Sequence, residues 1–126
     1  MKKVILALAV SATLSFASES TIGATMNLMK EGMNQIQQGF MYNSKEDIKK
    51  GIDIINKSND IFKHVDVADF IKSNKVTVAK NINHNLTKDL QSLKKAVDNA
   101  KYGEATEQYG KVMSQCIACH TIIRAW

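Results

Sequence analysis

The stretch VTVAKNINHNLTKDLQSLKKAV, residues 76–97, carries its apolar residues at Val76, Ala79, Ile82, Leu86, Leu90, Leu93 and Val97. Those steps follow the 3.6-residue period of a helix, not the two-residue period of a strand. Lys80, Asn83, Lys88, Asp89 and Lys94 occupy the other faces. The pattern predicts a long amphipathic helix with one face against a core. His84 falls off the stripe and reads as a surface histidine. Gly103, after Ala100-Lys101-Tyr102, suits the end of this helix.

The same period extends outward. Upstream, Ile22, Met26, Met29, Met33, Ile36 and Phe40 recur at alternating steps of four and three residues, a heptad seam. Such a seam packs against neighbouring helices at a shallow angle. Ser20 or Thr21 could cap its start, and Tyr42-Asn43-Ser44 ends it. Ser44 followed by Asp47 resembles an N-cap signature for a second helix. Its stripe is Ile48, Ile52, Ile55, Asn59 and Phe62, with Asn59 a polar interruption and Gly51 a weak point. His64 to Ser73 is irregular and predicts a connection with about one turn of helix near Val67–Ile71. A fourth segment, from near Glu104 to Arg124, has the stripe Ala105, Tyr109, Val112, Cys116, Cys119 or His120, and Ile123. The chain holds no proline. Four amphipathic helices with short connections predict an all-α, antiparallel up-down-up-down four-helix bundle, with the first and last helices as neighbours.

The N-terminus has the form of an export signal. Lys2 and Lys3 precede the apolar run Val4–Phe16, and Ser15-Phe16-Ala17 is a small-x-small site. The run is about 13 residues, short of the ~20 of a spanning helix. Residues 1–17 are therefore expected to be a signal peptide cleaved after Ala17, with an uncleaved anchor as the competing reading. Residues 18–126 are expected to form one domain, periplasmic and without stable membrane insertion. The formal net charge of +5 falls once Lys2 and Lys3 are removed. The remaining lysines are spread along helical faces, a solvated surface rather than a nucleic-acid patch.

Both cysteines of the chain lie in Cys116-Ile117-Ala118-Cys119-His120. This C-x-x-C-H form is the signature of covalent c-type haem attachment. The two thiols can add to the haem vinyl groups as thioethers, and the adjacent imidazole can bind the iron as proximal ligand. One haem c is expected, bound inside the bundle. The competing readings are a redox dithiol and a zinc site. The first lacks strand–helix alternation around it, and the second lacks a further Cys/His pair. Six residues follow His120, so a second axial ligand is expected either from upstream or not at all. The methionine seam of the first segment is the facing wall.

Four helices with C-x-x-C-H on the last resemble the class II c-type cytochromes, that is, cytochrome c prime and its low-spin, methionine-ligated relatives. The resemblance covers nearly all of residues 18–126. Arg124 matches the basic residue that follows the motif in the family, while Ile123 stands where the family has an aromatic residue. In low-spin relatives a first-helix methionine binds the iron from the distal side; in cytochrome c prime an apolar residue there leaves the iron five-coordinate. Counting back from Ser44 by the family's spacing reaches Asn27, between Met26 and Met29. The resemblance thus implies Met26 as distal ligand, with Met29 as alternative; Met29-Lys30 also matches a Met-Lys pair common in these relatives. Met33 lies farther along. The Arg common one turn before the ligand is absent.

Arg124 divides between a propionate or proximal-face contact and an exposed chain end. Met41 and Met113 read as packing or surface, Tyr109 and Trp126 as packing, and His64 as a solvated loop histidine that could approach a haem edge. The expected function is that of a periplasmic monohaem electron carrier, exchanging electrons with redox partner proteins and able to form a homodimer. The alternative is a five-coordinate NO- or CO-binding protein. No acid–base cluster accompanies the motif, so an enzyme is not expected.

Overall fold

The computed structural model describes residues 2–69 and 71–124, with side chains placed for 21–69 and 71–123. Helices account for nearly all of it: α1 (Lys2–Met41), α2 (Lys45–Lys63), α3 (Val76–Asp98) and α4 (Tyr102–Arg124). Two 3₁₀ turns, Val67–Asp69 and Ser73–Lys75, bridge α2 to α3. No strand occurs among the described residues.

The cap of α2 is as the sequence predicts. The Ser44 hydroxyl accepts a hydrogen bond from the Asp47 amide at 3.2 Å. Two other boundaries differ. Helix α1 does not start at Ser20 or Thr21 but runs through them from Lys2, because no proline or glycine interrupts the chain before Gly23. Thr25, on the next turn, donates its hydroxyl to the Thr21 carbonyl at 2.7 Å. Helix α3 does not end at Gly103, which lies inside α4. It ends at Asp98, and Ala100 takes the left-handed turn at φ 55°. Lys101 donates its amide to the Ala96 carbonyl at 2.9 Å, and Ala100 donates to Val97 at 3.1 Å, the pairing of a Schellman motif. Asn43, at φ 58°, plays the same part after α1, with Ser44 donating to Gly39 at 2.8 Å.

The four helices share one core. Ile36 of α1, Ile48, Ile52 and Ile55 of α2, Leu86, Leu90, Leu93 and Val97 of α3, and Ala105 and Val112 of α4 are buried together. Each large aliphatic side chain so buried contributes roughly 1.5–3 kcal/mol, so this stripe-on-stripe contact holds the fold. Phe40 and Tyr109 close one end, ring centroids 5.6 Å apart and tilted by 55°. A smaller cluster of Phe62, Val67, Ile71 and Ala79 forms separately, and Met26, Met29, Ile122 and Ile123 pack on it.

Helix α1 lies along α2, α3 along α4, and α2 against α3. The α1–α2 pairing is the tightest because it is built on glycine. Gly32, Gly39 and Gly51 are all buried, and a Cβ on any of them would collide with the opposite helix. Among the described residues, no helix is long and apolar enough to cross a membrane.

Candidate functional site

Where α1 and α4 fail to pack closely, the helices leave a cavity of about 250 Å³. Cys116, Cys119 and His120 of α4 line one side of it. Met26, Met29 and Met33 of α1 line another, and Phe62, Ala79, Ile82 and Leu86 complete the apolar wall. The sequence-predicted motif and the methionine seam are therefore on one cavity. Among the described residues, its walls carry no Asp or Glu.

The helical spacing explains the arrangement. Cys116 and Cys119 are three residues apart, so both thiols share a face of α4 and both are partly buried. His120, one residue on, lines the same cavity while remaining solvent-exposed. Gln115 fixes the start of the motif against α3 by donating to the Asp89 carboxylate at 3.0 Å. Burial pushes the Cys119 thiol above its ordinary range. Burial, and then the neighbouring Cys119, does the same to Cys116. Burial and the charge of Cys116 also raise the Tyr109 phenol.

These directions matter for the competing chemistries. A redox dithiol works through a thiolate stabilised at a low pKa. Here the surroundings favour the protonated thiols. A zinc site needs three or four converging ligands, and among the described residues no three His, Cys, Asp or Glu side chains form such a group. An apolar chamber with two neutral thiols, an adjacent imidazole and facing thioethers fits a flat apolar macrocycle with iron at its centre.

The methionines separate by neighbourhood. Met26 and Met29 pack on the cluster of Phe62, Val67, Ile71 and Ala79, as do Ile122 and Ile123 just past His120. Met33 packs instead on the main core, although it too reaches the cavity. Met41 is 78% exposed, as a surface residue. Met113, read from sequence as packing or surface, is partly exposed and also lines the cavity. Tyr109 packs in the core, as expected. The Arg124 and Trp126 side chains lie outside the described residues.

Sequence reasoning missed a polar strip in the wall. Asn59, the interruption in the α2 stripe, is 1% exposed and borders the cavity. Its side-chain oxygen accepts from Asn83 Nδ2 at 2.6 Å, and its own Nδ2 donates to Thr87 Oγ1 at 3.0 Å. An asparagine on an otherwise apolar stripe was the available signal, since a buried amide needs a partner on the next helix. His64 and His84 are both exposed, as expected, yet they border one second cavity beside the first.

No protein-family model, curated protein or solved structure matches this chain.

Proposed function

We propose that this chain is an exported monohaem c-type cytochrome that carries electrons in the periplasm. The observation that carries the reading is the single apolar cavity bordered by C-x-x-C-H on α4 and by the methionine seam on α1. In this reading the helices form an antiparallel up-down-up-down bundle around the cofactor, in the manner of the class II c-type cytochromes. Residues 1–17 are the signal peptide. Every α1 residue bordering the cavity lies beyond Ala17, so cleavage there would leave the site whole.

Bound at this site, haem c supplies a one-electron Fe(III)/Fe(II) couple. The chain's own residues do the rest. Cys116 and Cys119 would hold the macrocycle through thioether bonds, and their burial, which favours the protonated thiols, slows closure into a disulfide before attachment. His120 would hold the iron as its proximal ligand. Met26 would be the distal ligand, with Met29 as alternative; both pack on the same buried cluster as Ile122 and Ile123, just past His120, and this favours them over Met33. With His120 and an α1 methionine both held on packed helices, little in the chain would need to rearrange on electron transfer. The buried aliphatic core and the glycine-packed α1–α2 pair hold the ligand-bearing helices in place.

The second reading, a five-coordinate protein that binds NO or CO, is favoured by the apolar character of the wall facing α4. A diatomic gas would enter such a chamber more readily than water would. Optical spectra of the reduced protein with and without CO separate the two. Electron transfer through a methionine-ligated iron predicts a low-spin spectrum that CO leaves unchanged at first. Immediate conversion to a CO complex would replace it with the gas-binding reading.

A further inference from the structure

Beside the apolar chamber lies a second cavity of about 540 Å³, and the two share Phe62, Ala79 and Asn83 as walls. Their chemistry is opposite. The second is bordered by Lys63, Lys80, His64 and His84, with Asp66 as its one acidic residue. Lys63 is held by Asp60 at 2.9 Å, and the Asp66 carboxylate accepts from the Ala68 amide at 3.0 Å. His64 Nδ1 lies 2.7 Å from the Asp60 carbonyl. A carbonyl only accepts, so Nδ1 carries the proton and Nε2 is the free nitrogen. Lys80 has no ion-pair partner among the described residues. Lys80 and His84 are four residues apart on α3, on one face, with Asn83 between them at the shared wall.

We infer that the second cavity receives the carboxylates of the group held in the first, with Lys80 as their cation and His84 as a further hydrogen-bond donor. The inference rests on the haem reading above and deepens it, because haem is an apolar plate with two propionates. A carboxylate left among Met26, Phe62 and Leu86 would lose its hydration with nothing in return. Past Phe62 and Asn83 it meets an uncommitted ammonium and stays open to water, so a charge-assisted bond forms without full burial. Lys30 stands on the first cavity itself and also lacks an ion-pair partner among the described residues. It stands on α1 among the methionines and does not border the second cavity. Asn83, steadied by Asn59, is a positioning residue at the passage.

The test uses the haem-loaded protein and the variants Lys80→Gln, His84→Gln, their double, and Lys30→Gln. The readouts are the midpoint potential and the propionate bending bands in resonance Raman spectra. A cation beside the propionates disfavours the oxidised, more positive iron, so its loss lowers the potential. Lys80→Gln should lower the potential and shift a propionate band, the double variant more so, while Lys30→Gln leaves the propionate bands at their wild-type positions. Lys80 and His84 are exposed, so the fold should survive, as helical circular dichroism will report. Wild-type potential and bands in the double variant, or the band shift appearing in Lys30→Gln instead, overturn the inference while leaving covalent haem in place. Absence of haem staining on the denatured wild-type chain overturns the haem reading and this inference with it.

Discussion

Gly32 and Gly51 face each other across α1 and α2 so closely that a Cβ on Gly51 would lie 2.5 Å from the Gly32 carbonyl oxygen. A Cβ on Gly32 would in turn lie 2.9 Å from the Gly51 oxygen and 2.5 Å from Ile55 Cγ1. Backbone meets backbone here, so no side chain can swing away. The helix that carries the methionine seam is thereby set in depth against its neighbour.

Gly51→Ala tests this contact with opposing effects. In an open helix the change gains about 1 kcal/mol of helix propensity. Here overpacking costs typically 1–3 kcal/mol, and the collision is with the Gly32 oxygen and the Ile36 backbone nitrogen. The net result should be a lower melting temperature. Gly110→Ala, where nothing lies within 4 Å, should raise it.

Ala100 holds a left-handed conformation that L-residues with a Cβ occupy at a cost. Ala100→Gly removes that cost and keeps both Schellman hydrogen bonds, at the expense of a more flexible unfolded chain. Stability should rise by up to about 1 kcal/mol, measured by urea denaturation. A loss of stability would mean that the turn after α3 has another geometry.

Asp98 is held between Lys94 and Lys49, at 2.8 and 2.9 Å. Hydrogen bonds from Lys94 and then Lys49 draw its carboxyl down to about 2. A depressed carboxyl gives stability that is present above its unfolded pKa, near 4, and fades as pH falls toward 2. The site is exposed, so the effect is small and screened by salt. Asp98→Asn should flatten the stability profile between pH 4 and 2 and leave its slope from pH 5 to 8 unchanged.

The helices and the motif were legible because both depend on local order. The stripes of α2 and α3, the Ser44 cap and the C-x-x-C-H spacing are set within a few residues. What the sequence hid depends on contacts between helices. Gly51 read as a weak point, yet it is where two backbones touch. Asn59 read as an interruption because Asn83 and Thr87, its partners, lie on another helix. Gly103 looked like a helix stop, but the backbone turned three residues earlier at an alanine, held by the Lys101–Ala96 bond. Met113 joined the cavity because it lies one turn before Cys116 on the same helix, a relation that the stripe of apolar residues did not expose.

Met26→Leu tests the distal ligand. Leucine is close in volume, so the bundle should stay folded with at most about 1.5 kcal/mol lost. The haem-loaded variant should become high-spin and bind CO at once, while Met33→Leu stays low-spin. If Met26→Leu keeps the wild-type spectrum and Met29→Leu changes it, the ligand is Met29.

The most direct test of the central claim is the intact mass of the chain exported by a host able to attach haem c, taken under denaturing conditions. The account predicts a chain beginning at Ser18 and heavier by one haem, with the addition lost in the Cys116→Ala/Cys119→Ala double variant. A bare polypeptide with two free thiols, or one haem surviving in the double variant, would contradict it.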